Sequence, residues 1–480
     1  MSRIFLVTTA CILLPATAQA DDGIRQFLAG RASHDEEIAR SIWNWAEVGY
    51  QEVKSSALLQ KDLAAAGFKV EAGVAGMPTA FVASWGKGEP VIGILAEYDA
   101  LPGITQDVSP LRKPISGKLS GHACGHHLFG TASVSTAIAL KDWLRKSDTP
   151  GTIRLYGTPA EEGGAGKVYM VRAGLFNDVD TVLHWHPSDV NFAGLDKALA
   201  NKNAKFRFHG ISAHASGAPE RGRSALDGIE SMDYMVNMMR EHVPSDARIH
   251  YVITSGGSAP NVVPDFAESY LYVRHADTRI VEEIFDRIVK AAEGAALGTG
   301  TTMDYEVIGG VHNILPNEAL ARVMFAKLQE VGGISYTPEE RAFAEQLYSS
   351  LVQPNMPLGS EADVQAFGFE RPGIGSTDVA DVSWNVPTVG LRVATWVPGT
   401  SAHSWQAVAA GGMSIGYKGM ENASQVLALM GQELFAHPEL IAKARAEFEQ
   451  RRGPHFQYKP MLGDRAPPLD YRRGVPGGGE

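Results

Sequence analysis

The stretch GHACGHHLFG, residues 121–130, places three histidines and one cysteine within six positions: His122, Cys124, His126 and His127. Imidazole and thiolate are donors that divalent metals of intermediate softness accept together. The Cys-x-His spacing of Cys124 and His126 would let two side chains of one loop converge on one ion. The alternative is a polar loop whose histidines only form hydrogen bonds, and this stretch alone does not decide between the two interpretations.

Further candidates for metal binding and acid–base work occur later in the chain: Glu161, Glu162, His184, His186 and His403. Adjacent glutamates point in different directions, so one can bind a metal while the other faces a water molecule. Taken singly, each is an ordinary polar residue of a chain with 15 histidines. Together they predict a site at which distant segments meet, with the choice between His184 and His186 left open.

The candidates follow apolar segments that we predict to be buried strands. Segment 90–103 runs into Glu97 and Asp99, segment 152–167 runs into the two glutamates, and segment 180–189 ends in histidines. The carboxyl ends of parallel strands lie at one edge of an α/β sheet, where ligand sites form. The pattern therefore predicts an α/β domain whose strand ends carry the site.

The middle of the chain alternates apolar and polar residues instead. Its strands and helices follow in the order β-α-β-β-α-β, which is the ferredoxin-like split motif. We therefore expect a domain over 199–311, inserted into a larger catalytic domain that comprises 21–198 and 312–450. The last residues, 451–480, are rich in Pro, Gly and Arg and are expected to form a tail on the surface.

Residues 1–20 have the pattern of a cleavable export signal. Arg3 precedes a short apolar run, and Ala18-Gln19-Ala20 is a small-residue cleavage motif. We therefore expect secretion across the inner membrane and a periplasmic mature protein. Removal of the signal would take away Cys11, so Cys124 would be the one remaining thiol and could form no internal disulfide.

Charge and hydropathy exclude two classes of partner. The formal net charge is −11, whereas nucleic-acid binding needs a basic surface. No stretch after the signal approaches the roughly eighteen apolar residues of a membrane span, so we expect a soluble mature chain without a membrane anchor. The length favours two domains.

Taken in order, the motifs resemble those of a known family. The stretches GHACGHH, GTPAEEGGAGK, HWHP, FHGISAHASGAPERGRSALD, APNVVPDFAESYLYVR and GSTDVADVSW…TWVPGTSAHSW look like the dinuclear metallopeptidases and amidohydrolases that include aminoacylase, carboxypeptidase G and the auxin-conjugate hydrolases. The likeness is strongest to the aminobenzoyl-glutamate hydrolase subgroup and covers about residues 35–440. It implies an α/β, mixed-sheet, zinc-peptidase-like catalytic domain with an inserted ferredoxin-like lid or dimerisation domain. It also implies two divalent ions per subunit, zinc or manganese first and cobalt or nickel as alternatives.

Carried over by motif, the resemblance implies a role for most of the candidates. Cys124, His126, Glu162 and His403 would be metal ligands, and Glu161 would be the general base. Glu161 would take a proton from the attacking water and give it to the leaving amine.

The motif HWHP contains the remaining ligand. In the aminobenzoyl-glutamate subgroup the ligand directly precedes the proline, which favours His186, whereas the spacing in the auxin-conjugate branch would select His184. Two positions depart from the family pattern. His127 stands where Asp or Asn is common, and Glu97 stands where other branches have a ligating histidine. Asp99 is expected to orient a metal-binding histidine.

The inserted domain carries three more residues that match the family. His214 resembles a histidine that reaches the partner subunit's site and polarises the scissile carbonyl, which implies a homodimer. Asn261 and Arg274 resemble the pair that grips the substrate carboxylate, and a guanidinium fork suits that partner. Strand alternation places Arg274 with Tyr270 and Tyr272 on the more exposable face. Each of these residues could instead be an ordinary surface residue.

The resemblance thus implies an exported, metal-dependent amidohydrolase that cleaves the amide bond of N-acyl or N-aroyl amino acids through a metal-activated water. Its substrate would be a small amide with a free carboxylate. The alternatives are an exported metallo-dipeptidase or carboxypeptidase, and a binding protein of the same fold without catalysis. A thiol hydrolase with Cys124 as nucleophile would have to be metal-independent.

Overall fold

The computed structural model describes residues 16–370 and 375–473. Most of the expected export signal, residues 1–15 with Cys11, lies outside the described residues. The first helix begins at Ala16, before the expected cleavage point after Ala20. None of the helices in the described ranges is long and apolar enough to cross a membrane.

The secondary structure alternates helices and strands through most of the chain. The helices are α1 (Ala16–Trp45), α2 (Val53–Ala65), α3 (His126–Ser147), α4 (Gly166–Arg172), α5 (Ala225–Met239), α6 (Thr278–Thr299), α7 (Glu318–Val331), α8 (Pro338–Tyr348), α9 (Val379–Ser383), α10 (Trp405–Gly411), α11 (Ser414–Ala436) and α12 (Pro438–Arg452). The strands are β1 (Lys69–Ala72), β2 (Phe81–Lys87), β3 (Val91–Ala96), β4 (Leu101–Pro102), β5 (Ser120–Gly121), β6 (Gly151–Gly157), β7 (Thr181–Ser188), β8 (Ala200–His209), β9 (Arg248–Ser255), β10 (Phe266–His275), β11 (Thr302–Val311) and β12 (Thr388–Ala394).

The central sheet has the strand order β1-β2-β6-β3-β7-β12. Strands β6, β3, β7 and β12 are parallel, and β1 and β2 are antiparallel additions at one side. Strand β3 reads VIGILA and is buried along almost its whole length, as expected for a parallel strand covered on both faces. Helix α3 packs against β3, β6 and β7, and α11 packs against β7 and β12. The predicted mixed α/β fold is confirmed.

The strand ends meet at one edge of the sheet because β3, β6 and β7 are parallel. The predicted strand over 90–103 is shorter in the structure: β3 ends at Ala96, and Glu97 and Asp99 lie in the connection that follows it. The sequence predicted that β7 ends in its histidines, but His184 and His186 lie within that strand. Although these strands end at other residues than predicted, the ionisable side chains still lie at the same edge of the sheet.

Helix α3 is fixed at its start by close packing. Gly125, directly before it, has a φ of 77°, and a Cβ at this position would lie 2.6 Å from Pro187. The indole nitrogen of the fully buried Trp185 donates a hydrogen bond to the carbonyl oxygen of Phe129, 3.1 Å away. The first turn of α3 is therefore held against β7.

A second sheet has the order β11-β8-β10-β9 and is antiparallel throughout. Numbered along this segment, the strands take the places 4-1-3-2, which is the ferredoxin-like arrangement. Helices α5 and α6 pack on the sheet around a core that includes Phe206, Phe208 and Phe285. All six elements fall within the predicted insert, 199–311, which we call the lid, while the exact domain boundaries stay predictions.

After α12 the chain forms the C-terminal strap, residues 453–473, without helix or strand. The strap does more than lie on the surface, because Met461 and Leu462 are buried. The guanidinium of Arg465 donates to the carbonyl oxygen of Val307 in β11, 3.0 Å away. The strap therefore connects the catalytic domain with the last strand of the lid.

Candidate metal centre

The start of α3 and the end of β7 bring Cys124 and His186 together. Cys124 Sγ and His186 Nε2 are 3.5 Å apart, and His186 Nδ1 lies 2.7 Å from the carbonyl oxygen of Pro187. An imidazole that donates through one nitrogen binds a metal through the other. With His126, these residues form one group of potential ligands whose donor atoms lie within 4.8 Å of one another.

His126 is held in the same way. Its ring is fully buried, and Nδ1 lies 2.8 Å from Asp99 Oδ1, which leaves Nε2 for a metal. Burial lowers the pKa of His126, but the charges of Cys124, Glu97 and Asp99 outweigh burial and raise this pKa well above its ordinary value. Negative charge therefore collects around this ring, and a bound cation would compensate it.

Cys124 also belongs to a second group of potential ligands, with Glu162 and His403. His403 Nε2 and Glu162 Oε1 are 3.1 Å apart. His403 has a φ of 60°, and its backbone N–H donates to the carbonyl oxygen of Ala123, 2.9 Å away. Hydrogen bonds with Cys124 and Glu162 raise the pKa of His403 to about 11. Two distant chain segments thus meet at one thiol.

The two groups fit a pair of divalent ions that share the Cys124 thiolate. His126 Nε2 and Glu162 Oε1 are buried and form no hydrogen bond of normal alignment within the described ranges, whereas buried polar atoms rarely lack a partner. Thiolate, imidazole and carboxylate are the donors that zinc accepts. A metal ion bound by these groups would satisfy both atoms.

Glu161 lies beside both groups. Its carboxylate comes within 4.8 Å of donor atoms of His126 and Glu162. Burial and then the charges of Glu97 and Glu162 raise the pKa of Glu161 well above its ordinary value. Ala160, directly before it, has a φ of 58°, and such strained backbone is concentrated at functional sites. A carboxyl group with a raised pKa next to a metal is suited to accept a proton from water.

Other histidines of the two motifs stay out of the ligand groups found in the described residues. His184 packs against Gly390, where a Cβ would lie 2.3 Å from its ring, and burial lowers the pKa of His184 to about 4. His127 Nε2 lies 2.9 Å from the carbonyl oxygen of Gly411, and burial lowers the pKa of His127 to about 3. The structure thus brings His186, and not His184, to the thiol.

Sequence reasoning assigned no role to two residues beside the site, Lys167 and Asp378. Lys167 is completely buried, and its Nζ lies 2.7 Å from Glu97 Oε1 and 2.8 Å from Asp378 Oδ1. Lysine is almost never fully buried unless it is paired. Each lies in a motif of the family resemblance, Lys167 in GTPAEEGGAGK and Asp378 in GSTDVADVSW, but neither motif indicated their burial.

A cleft of about 970 Å³ opens between the two groups of potential metal ligands and the lid. Arg274, Tyr270 and Tyr272 line it from β10. The guanidinium of Arg274 lies over the Tyr272 ring at 5.6 Å from its centre, and its Nε forms no hydrogen bond within the described ranges. The half-buried face of β10 is therefore the face that looks into the cleft.

His214 and Asn261 lie at another part of the lid. Both are exposed, neither lines the cleft, and the N–H of Ala215 donates to the carbonyl oxygen of Asn261, 3.0 Å away. His214 Nδ1 accepts hydrogen bonds from the N–H groups of Ser216 and Gly217, at 3.2 and 3.1 Å. In the neutral ring the hydrogen is therefore on Nε2. This nitrogen does not reach the groups of potential metal ligands of its own chain.

The C-terminal strap reaches the site from the opposite side. The hydroxyl of Tyr471 donates to the carbonyl oxygen of Glu162 at 3.0 Å, and Arg472 Nη2 donates to the same oxygen at 2.6 Å. The N–H of Glu162 donates to Asp99 Oδ2, 2.9 Å away. The backbone of this candidate ligand is therefore held on both sides.

Comparison with known sequences places these residues in a family context. Residues 93–404 match Peptidase family M20/M25/M40. One of the two subunits of the p-aminobenzoyl-glutamate hydrolase of Escherichia coli (strain K12) is 39% identical over 443 residues, which cover 86% of this chain and 92% of that protein. The Xaa-Arg dipeptidase of Mus musculus is 28% identical over 86% of this chain and 88% of its own.

Solved structures share the fold. The YxeP protein of Bacillus subtilis, a dinuclear metal binding peptidase from the M20 family, superposes with a TM-score of 0.60 at 17% identity, over 85% of this chain and 99% of its own. The aminobenzoyl-glutamate utilization protein from Klebsiella pneumoniae gives a TM-score of 0.58 at 19% identity, over 84% of this chain and 97% of its own.

The two histidines of β7 provide a matched pair of variants. We expect His186→Ala to lower metal affinity by more than the roughly 10–100-fold that loss of a supporting residue costs, because it removes a donor atom. His184→Ala should keep its metal. Elemental analysis after dialysis against a chelator measures both. Equal metal content in the two variants would contradict the assignment.

The strap contact with Glu162 can be tested in the same way. Arg472→Ala removes a charge-assisted hydrogen bond from the backbone of a candidate ligand, so we expect metal affinity to fall about 10-fold, the lower end for supporting groups. Arg473→Ala, at the exposed neighbouring position, is the control and should bind metal as the wild type does. Identical affinities in a competitive chelator titration would show that the strap does not support the ligand.

Proposed function

Because the chain belongs to peptidase family M20/M25/M40, we propose that it cleaves the amide bond of N-acyl or N-aroyl amino acids of the aminobenzoyl-glutamate type. Membership by itself shows a metal-dependent hydrolase that acts on amide bonds. One observation supports the finer proposal of a dinuclear centre. Cys124 is shared by two ligand groups, and Glu161 lies beside both.

The residues of the site supply the proton transfers of such a reaction. Divalent ions in a dinuclear centre polarise a carbonyl group and make water a nucleophile near neutral pH. Glu161 accepts the proton of the attacking water, which its raised proton affinity favours. It then gives this proton to the nitrogen of the leaving amine, so one carboxyl group acts as base and as acid. Asp99 holds His126 and the backbone of Glu162 during these steps.

The cleft is equipped for a substrate with a free carboxylate. Arg274 and Arg392 line it. The Nε of Arg274 is buried without a hydrogen bond in the described part of the chain, whereas Arg392 forms an ion pair with Asp196, 3.5 Å away. A guanidinium pairs with a carboxylate through two parallel hydrogen bonds. The bacterial relative named for aminobenzoyl-glutamate, whose glutamate part carries carboxylates, supports this substrate class.

A dipeptidase is the second candidate. The mouse relative is named Xaa-Arg dipeptidase, and the acidic residues Asp189, Asp196 and Glu370 also line the cleft. A cationic side chain at the carboxyl end of a peptide would find opposite charge there. The two candidates share the chemistry at the metal centre and differ in what the rest of the cleft binds.

We further propose a homodimer in which His214 completes the site of the other subunit. The support is a set of exposed apolar side chains on the lid, Val252, Ile253, Val262 and Phe266, of which Val262 pairs with His214 in a β-bridge. Strand β9 is also an outer strand of the lid sheet, and such edges pair readily with another chain. The two different subunits of the Escherichia coli hydrolase both match this chain, so a different second subunit is the alternative.

An activity panel on metal-reconstituted protein tests the function. Aminobenzoyl-glutamate and N-acyl amino acids should be cleaved faster than dipeptides ending in arginine. Glu161→Gln should keep its metal and lose at least ~10²-fold in kcat, the usual scale for general acid–base catalysis. Chelator-resistant cleavage would favour a thiol hydrolase, and a complete absence of cleavage would favour a binding protein. Preferential cleavage of the arginine dipeptides would establish the second candidate.

Mixing two inactive variants tests His214. His214→Ala should lower kcat without loss of metal, while His242→Ala, at another exposed position of the lid, should behave as wild type. In a two-fold symmetric dimer, an equal mixture of His214→Ala and Glu161→Gln chains has an intact Glu161 and a partner's intact His214 in about a quarter of its sites. We expect activity to return to about that fraction after subunit exchange. No recovery in a dimer shown to exchange would place His214 outside the partner's site.

A further inference from the structure

Glu52 is a buried carboxyl group that belongs to none of the potential ligand groups found in the described residues. It directly precedes α2 and is completely buried, although glutamate is almost never fully buried unless it is paired. Its side chain does not cap the helix. The N–H groups of Lys54 and Ser55 donate instead to the carboxylate of Glu47, at 3.1 and 2.8 Å. The carboxyl group of Glu52 is therefore available to another part of the fold.

That part is the loop directly before the candidate base Glu161. Oε1 of Glu52 accepts the backbone N–H of Ala160 at 2.8 Å, and the hydroxyl of Thr79 lies 3.0 Å from Oε2. The carbonyl oxygen of Thr79 accepts in turn the hydroxyl of Ser56, 2.7 Å away. A buried chain of hydrogen bonds thus runs from the first turn of α2 to the residue that precedes the base.

The backbone of Ala160 depends on this contact. Its φ of 58° lies in the left-handed region, which residues with a Cβ rarely adopt. Its carbonyl oxygen accepts the N–H of Gly164, 2.9 Å away, and the residue is completely buried, so water does not replace Glu52 at the N–H. A buried N–H without a partner is unfavourable. Without the acceptor, the peptide unit before Ala160 would turn, and the chain would enter Glu161 in another direction.

Two buried acids hold the backbone on either side of Glu161. Glu52 accepts the N–H of Ala160, and Asp99 accepts the N–H of Glu162 at 2.9 Å. Asp99 also contacts a candidate metal ligand through its other oxygen, whereas both oxygens of Glu52 are used by the loop and by a threonine. Glu52 therefore acts on the backbone before the base and not on the metal.

We propose that Glu52 is a positioning residue for Glu161, whose carboxylate it directs through the hydrogen bond to the N–H of Ala160. This inference rests on the role of Glu161 in the proposed function. Burial and the charge of Asp99 raise the pKa of Glu52 to about 8, so this carboxyl group is mostly neutral at neutral pH. A neutral carboxyl group has one accepting and one donating side, as the amide of glutamine has. Glutamine should therefore replace Glu52.

Matched variants separate this role from a structural one. Glu52→Met removes the acceptor at similar side-chain length, and we expect kcat for aminobenzoyl-glutamate to fall by about 10- to 10²-fold, the scale for a small displacement of a reacting group. KM and metal content should not change. Glu52→Gln should keep a kcat near that of the wild type. Ser56→Ala removes a buried hydrogen bond of the same cluster without touching Ala160, so it should lower the unfolding temperature and leave kcat unchanged.

A double variant tests whether Glu52 acts through the base. In a Glu161→Gln chain the base is already absent, so adding Glu52→Met should cost no further turnover. A further loss as large as in the wild-type background would overturn the inference. A loss of kcat in Glu52→Gln or Ser56→Ala as large as in Glu52→Met would overturn it as well.

A shorter side chain serves if Glu52→Met does not fold. Glu52→Asp keeps a carboxyl group but withdraws it from Ala160 by one methylene group, and we expect the same loss of kcat. Wild-type kcat in the variant that folds would overturn this inference alone. A wild-type chain that cleaves none of the amides, or Glu161→Gln with normal turnover, would overturn the proposed function and this inference with it.

Discussion

The buried carboxylate of Asp99 fixes the geometry on which the metal centre depends. One of its oxygens lies 2.8 Å from His126 Nδ1, and the other accepts the backbone N–H of Glu162 at 2.9 Å. His126 and Glu162 belong to different ligand groups, so one short side chain sets the spacing between these two groups. Burial raises the pKa of Asp99, but the charge of His126 and the hydrogen bonds outweigh it and lower this pKa. The carboxylate is therefore ionised at neutral pH and able to hold both partners.

Around this carboxylate the backbone adopts conformations that are costly elsewhere. Ala160, Ala165 and His403 have φ values of 58°, 55° and 60°, and each such residue costs on the order of 1–3 kcal/mol. Two of them flank the glutamate loop, and the third is itself a candidate ligand. The packing of α3 and the sheet must hold these conformations. Gly125 has a φ of 77°, which costs a glycine little. A side chain at this position would also collide with Pro187.

The sequence predicted the site to the extent that the site depends on local patterns. Buried apolar strands followed by acids or histidines are visible in any window of the chain, and parallel pairing then brings their ends together. The choice between His184 and His186 is different in kind. Both residues face the same side of β7 because side chains alternate along a strand, and His186 is nearer to Cys124 only because it lies two residues closer to the strand end. The family motif favoured the residue that the structure brings to the thiol.

Ionic contacts between residues far apart in the chain could not be predicted from the sequence. Charged residues are mostly exposed, so no pattern indicated that Lys167 would be completely buried between Glu97 and Asp378. Recognising this requires the packing of β3, α4 and the start of α9 against one another. These contacts between distant parts of the chain place two buried carboxylates, Glu97 and Asp378, beside one buried cation, Lys167.

The C-terminal strap makes contacts that its composition did not indicate. Its Pro, Gly and Arg content predicted a segment along the surface. In addition, Arg465 donates to the carbonyl oxygens of Val307 and Ile308 in β11, and Arg472 donates to that of Glu162. The strap thus joins the last strand of the lid to the loop that carries a candidate metal ligand. A movement of the lid towards the cleft has to carry the strap along or break these hydrogen bonds. The position of Arg274 above the cleft and the position of Glu162 within it are therefore mechanically linked through the same segment of chain.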